Sequence, residues 1–345
     1  MGVTRSRGAL LALALGALAA CGVVAQAPGS PAPAQPPSRT ATAPPPAAAS
    51  APTPPEPVAS SAQPPPPDAS PPPEPPYDIE ADRARIVAQA KEELGPGTNT
   101  VTVDDVFVLI GAPGWNRSSL KTSQDLVRNS VMAYLNGRFD RGPTRAIAVY
   151  LFASAGPYRS YCKTWLHEDC ISPFGFYLAP TTDGHPEGRM IMNAGPGLGT
   201  LTHELVHPFV EADFPGAPIW LNEGIASLYE APVIVARGEI RGVKNWRHPR
   251  LLRALASTNE REGAAFDRLF GMSDETFRNG DEDLHYAMAR YACQWLDERK
   301  LLWPFYRRFR DTADKDPTGA HAFAEVTGGA PAEASAAWSK WVRAL

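Results

Sequence analysis

The chain has 345 residues, with 33 Lys and Arg against 37 Asp and Glu, and a formal charge of −4. That balance leaves no basic patch of the kind a nucleic-acid backbone requires, so no nucleic-acid partner is expected. Prolines number 37, too many for one uniformly folded chain, so composition divides the molecule before any motif does.

The first 20 residues read as an export signal: Arg5 and Arg7 form a basic start, and the apolar run from Ala9 to Ala20 is too short to span a bilayer stably. The run ends in Leu18-Ala19-Ala20-Cys21, which resembles a bacterial lipobox. It implies cleavage before Cys21 and acylation of that cysteine, whose acyl chains together anchor the chain to a membrane. Gly22 follows where the inner-membrane retention signal of Gram-negative lipoproteins has Asp, so an outer-membrane address is expected if the organism has an outer membrane. Loss of Arg5 and Arg7 moves the formal charge to −6. Residues 21–77 are expected to form a lipid-anchored tether. Its stretch 27–76 holds 21 of the 37 prolines and shows no apolar periodicity, so it cannot build a core and is expected to be disordered and extended. At ~3.1 Å per residue such a tract reaches at most about 150 Å.

The folded part is expected over 78–345. Residues 79–94 read as a surface helix ending at Gly95-Pro96-Gly97, 103–112 as a strand, and 119–139 as a helix with Leu126, Val127, Val131 and Leu135 on one face. A buried strand follows at 145–154, then shorter strands at 174–180 and 188–195. Between them, Cys162 and Cys170 flank KTWLHED, and an oxidising compartment favours a disulfide. The alternative, a metal site from Cys162, His167 and Cys170, lacks a fourth ligand in sequence. Cys293, among apolar neighbours, reads as a buried free thiol.

The chain is organised around residues 202–230, THELVHPFVEADFPGAPIWLNEGIASLYE. HELVH matches H-E-x-x-H: residues four apart share a helix face, so His203 and His207 can point at one metal ion, while Glu204 lies about 100° round, beside the metal. Zinc suits two imidazoles and a carboxylate and keeps a position open for water. Three downstream acids compete as third ligand. Glu223 follows a loop long enough to return a second helix. Asp213 sits where a metzincin-like site would put its third ligand, but that pattern needs a Gly at position 210, where Val210 stands, and Pro208 should kink or end the helix before Glu211. Glu223 is therefore favoured.

HELVH followed by WLNEGIA resembles the gluzincin branch of zinc metallopeptidases, in particular the peptidase-MA-like families of secreted bacterial proteins. Residues 286–310 and 336–342 resemble the helical segments that follow the site in those families. The resemblance implies Glu223 as third ligand, Glu204 as general base, one zinc per chain, and a peptide or protein substrate. The implied fold is α+β: a zincin-like lobe (about 78–210) with a mixed sheet and the HExxH helix, then a mainly helical lobe (about 211–345) with helices near 248–257, 282–299, 301–313 and 332–344. It further implies that the segment 188–195 is the edge strand against which substrate pairs, and that a Tyr or His of the second lobe serves the oxyanion, with Tyr286 singled out from His285, Tyr286 and Tyr291. Two departures stand out: Pro208 directly after the second His, and a gap to Glu223 shorter than in the thermolysin-like and aminopeptidase branches, with Ser227 one turn later where thermolysin-like enzymes keep an Asp. A peptidoglycan stem peptide is a further candidate substrate. The rival reading is a non-catalytic envelope lipoprotein or binding module with a structural or degenerate zinc site, and Glu204 separates the two, since a structural site needs no acid beside the first His.

Overall fold

A computed structural model describes residues 76–180 and 187–345. Cys21, the expected signal and the expected tether up to residue 75 lie outside the described residues. Tyr77 already belongs to the fold: its hydroxyl donates to Asp82 and accepts the Ala146 N–H, both at 2.7 Å.

Helix α1 (Ile79–Leu94) starts where the Asp78 carboxylate accepts the Glu80 and Ala81 N–H groups, and it ends at Gly95, whose φ of 77° suits only glycine well. The single strand expected at 103–112 is instead half of a hairpin, β1 (Asn99–Val103) with β2 (Phe107–Gly111). Asp104 and Asp105 turn it at φ 48° and 57°, a left-handed region that Asp tolerates through its short polar side chain. Helix α2 (Arg117–Leu135), capped by Asn116, stops four residues short of the expected 139 because Gly137 takes φ 78°. Strand β3 (Ile147–Phe152) is followed by an unforeseen short helix α3 (Ala155–Tyr161) that widens into a π turn over Cys162–Leu166. Then come β4 (Gly175–Leu178) and β5 (Gly188–Asn193).

These strands make one mixed sheet in the order β1-β2-β3-β5-β4, parallel at β2/β3 and β3/β5 and antiparallel at its two outer pairs. Alternation along the strands divides the apolar residues between two faces. Val108, Ile110, Ala148, Tyr150, Phe152 and Ile191 pack with Ile86 and Ala90 of α1 and with α3. Leu109, Val149, Leu151, Met190 and Met192 face the other way, into the larger core. Strand β5 is therefore interior, and the expectation that 188–195 forms the edge is overturned: β4 returns antiparallel outside it and ends the sheet.

Beyond the sheet, α4 (Gly199–Glu204) and α5 (Val206–Asp213) carry the HELVH motif, and α6 (Ile219–Leu228) carries WLNEG. Residues after 230 are not wholly helical, because β6 (Val233–Ala236) and β7 (Glu239–Arg241) form a hairpin turned by Gly238 at φ 70°. Helices α7 (His248–Ala256), α8 (Asp274–Asn279), α9 (Glu282–Glu298), α10 (Leu302–Thr312), α11 (Ala320–Thr327) and α12 (Pro331–Ala344) complete the α+β fold, with a 3₁₀ turn at Phe266–Gly271 before α8. The two halves share one core: a single cluster of buried side chains runs from Val103 to Val342. Helices α6 and α9 meet where Gly224 leaves room. A Cβ there would stand 2.7 Å from Cys293 Sγ and 2.8 Å from the Ala289 carbonyl oxygen.

Candidate metal centre

Pro208 has no N–H, so the Glu204 carbonyl receives no bond from four residues on, and regular helix is interrupted at Leu205. The interruption is local. Leu205 keeps right-handed angles (φ −61°, ψ −22°) and its N–H still reaches Leu201 O at 3.0 Å. The expected disturbance before Glu211 is an interruption at Leu205, and not an end, because α5 carries on to Asp213. His203 and His207 thus stay on one side, with ring centroids 5.1 Å apart and planes 71° apart.

Donor atoms of His203, Glu204 and His207 lie within 4.8 Å of one another. Glu223 enters from α6, its Oε2 3.2 Å from His203 Nε2, while Glu204 Oε2 is 3.6 Å from His207 Nε2. Both carboxylates are therefore near the imidazoles, and the surroundings distinguish them. Glu223 Oε2 is buried and makes no hydrogen bond of good geometry with any described residue. Oxygen and imidazole nitrogen are close yet not aimed at each other, as two ligands converging on a third atom would be. His207 Nδ1 is 2.9 Å from Asn222 Oδ1, an amide oxygen that fixes the Nδ1–H tautomer and leaves Nε2 free. These donors fit a zinc ion. His203 Nδ1 has no such partner among the described residues, and Ser227 Oγ is likewise buried and unpaired.

Electrostatics separates the two acids further. Burial pushes the Glu204 carboxyl up, helped by Glu223 and Glu230 and opposed by the two histidines. Burial also works against the charged form of Glu223, but His203, His207 and Arg278 outweigh it and hold that carboxyl well below its usual range. Burial disfavours charge on His203 too, yet Glu223, Glu204 and Glu230 together raise its pKa. Glu223 is thus a fixed anion, as a ligand must be, and Glu204 is the acid whose proton affinity is raised.

The other acids are engaged elsewhere. Asp213 is fully buried and accepts Arg310 Nη1 at 2.9 Å on both oxygens and the Arg141 N–H at 3.1 Å, tying the end of α5 to α10. Glu211 accepts the Tyr177 hydroxyl of β4 at 3.0 Å. Cys162 and Cys170 are bonded to each other, with Cα atoms 5.4 Å apart, so neither thiol is free beside His167. Cys293 is free and fully buried.

The cluster lies at the bottom of a cleft of about 1660 Å³. Gly175, Phe176 and Tyr177 of β4 form one wall, and Arg278, Glu282 and Tyr286 of α8 and α9 face them. Exposed Ile171, Phe174 and Trp246 stand at its rim. Of the three aromatic candidates only Tyr286 lines this cleft. His285 Nδ1 lies 2.9 Å from Phe277 O, and the Tyr291 hydroxyl accepts the Asn245 N–H. Phe277 packs edge-on to the Tyr286 ring and the Arg247 guanidinium sits 4.8 Å above its centre. Burial, with Glu223 and Glu282 nearby, pushes the Tyr286 phenol up, against Arg278.

Four residues at this site escaped the sequence reading. Asn222 stood in plain view beside Glu223. Arg278 donates to Glu223 Oε1 at 3.3 Å, and Arg247 pairs with the buried Glu230 at 3.3 Å. Nothing local marks these last three, because their partners lie 55 and 17 residues away. No family model matches the chain, and no curated protein matches it at a significant level.

Proposed function

We propose that this chain is a zinc-dependent peptidase of the gluzincin type, exported and tethered to the cell envelope through Cys21. One observation carries the reading: His203 and His207 cluster with an unspent carboxylate, Glu204, and Glu223 Oε2 stands 3.2 Å from His203 Nε2, all lining one cleft beside the edge strand β4. A zinc ion bound there would supply a Lewis acid and lower the pKa of water toward ~7.

The remaining work belongs to the chain's own side chains. Glu204, with its raised proton affinity, takes a proton from the attacking water and returns it to the leaving amine. Asn222 holds the His207 ring in the orientation that presents Nε2 to the cleft. The edge of β4 offers unpaired N–H and C=O groups to an extended peptide, which binds by main-chain hydrogen bonds that tolerate many sequences. Tyr286, from the opposite wall, donates its proton toward the carbonyl oxygen where negative charge develops.

The test is zinc content per purified chain beside turnover of a peptide library. The parent should hold about one zinc and cleave. Glu204→Gln should keep the metal and lose turnover by at least ~10²-fold. Glu223→Ala should lose most of the zinc. A parent that takes up no zinc from metal-replete medium would refute the peptidase reading and leave a tethered binding module.

A further inference from the structure

Resting on that reading, we propose that Arg278 is a substrate-facing catalytic residue, which donates with Tyr286 to the scissile carbonyl oxygen as that oxygen becomes anionic. Its position suggests this. Arg278 comes from α8 and reaches the cleft from the wall opposite β4, with Nη2 3.3 Å from Glu223 Oε1, the oxygen of that carboxylate turned away from His203. The guanidinium therefore stands one carboxylate's width from the histidine cluster. That is near enough for a group bound between the cluster and α8 to meet it directly.

The two arginines of this wall differ in what they have left to give. Arg247 places both Nε and Nη2 3.3 Å from the buried Glu230 carboxylate and its guanidinium carbon 4.8 Å over the Tyr286 ring centre, so its contacts are spent on holding that ring. Among the described residues Glu223 is the one ion-pair partner of Arg278, whose side chain is 53% exposed and lines the cleft, so the guanidinium keeps N–H groups to give. A guanidinium stays charged at any working pH and binds anionic oxygen better than neutral oxygen. It is therefore selective for the charge-bearing state over the resting peptide, as transition-state stabilisation requires.

The experiment compares Arg278→Gln and Arg278→Lys with the parent, using the full chain and three readouts. Zinc per chain is measured first. The second readout is inhibition by a phosphinic pseudopeptide, a tetrahedral anion, built on the best-cleaved library sequence. The third is the affinity of the matching uncleaved peptide, measured on a Glu204→Gln background. Arg278→Gln should keep its zinc, bind the phosphinic peptide ~10²-fold more weakly and lose kcat by a similar factor, while Arg278→Lys recovers part of both. Affinity for the uncleaved peptide should move by less than about threefold. Zinc loss in Arg278→Gln would overturn the proposal and leave Arg278 as a residue that merely aligns Glu223. Equal weakening toward both ligands, or none toward either, would overturn it too. A parent that binds neither zinc nor the phosphinic peptide refutes the peptidase itself, and that result is visible before any Arg278 variant is made.

Discussion

On the proposed reading, a proton and a zinc ion compete for His203. Its raised pKa means that its attraction to Glu223 is fully present below about 6.5, the unfolded value, and is lost as pH rises through the folded one. For Glu223 the pKa is lowered, so its share is present above about 4.3 and disappears as pH falls through its folded value. The metal-free protein should therefore lose Tm as pH climbs through the raised His203 pKa, while apparent zinc affinity grows over the same interval because the ligand must be neutral. Melting curves with and without chelator between about pH 6 and 9 check both signs. Asp213 gives the contrasting residue. Asp213→Ala strips Arg310 and Arg141 of a fully buried partner and should cost about 3 kcal/mol in denaturant unfolding, with zinc stoichiometry unchanged in the folded fraction. The site residues were legible in unequal measure. His203, Glu204, His207 and Glu223 fall within 21 positions, where helical geometry alone restricts what they can do together. Arg278 lies 55 residues beyond Glu223, on a helix of six residues whose existence the pattern did not reveal.

Helices α6 and α9 touch at Gly224, directly after Glu223. Gly224→Ala must move Cys293 or the α9 backbone, and should cost about 1–3 kcal/mol. Because the neighbouring residue carries the carboxylate, the same substitution should weaken zinc binding. A variant destabilised as stated but with unaltered zinc affinity would show that α6 shifts without disturbing Glu223. Sequence periodicity located most long elements, α1 to the residue and α9 within one. It failed where local pattern is silent. Strand β1 was hidden because an Asp-Asp turn without glycine was not read as a hairpin, and α3 because AGPYRSY has no apolar period to read. The order of β4 and β5 across the sheet could not be read at all. Two adjacent strands of a hairpin carry the same alternation whichever one lies outermost, and only tertiary pairing of β5 with β3 decides it.

Across the whole molecule, the sheet half and the helical half share a continuous core, with Phe139 packed on Trp303 and Tyr306, and Phe214 on Phe309. The walls of the cleft are thus fixed relative to each other by the same side chains that stabilise the fold. The disulfide is the exception in placement, since it ties the π turn to the segment leading into Ile171 and Phe174 at the rim. Opening that short loop should lower stability by about 2–3 kcal/mol, seen as a lower denaturation midpoint in reductant that is absent from a Cys162→Ser, Cys170→Ser double variant.

An edge strand can recruit only a chain whose own N–H and C=O groups are unpaired, and β4 is such an edge beside fixed walls. On the proposed reading, the conformational state of the substrate then matters more than its sequence. Tails, linkers and proteins loosened by damage or incomplete export would be cut. The same peptide bond inside an intact neighbouring domain would survive, so the enzyme would tell folded protein from unfolded without needing a separate unfolding partner.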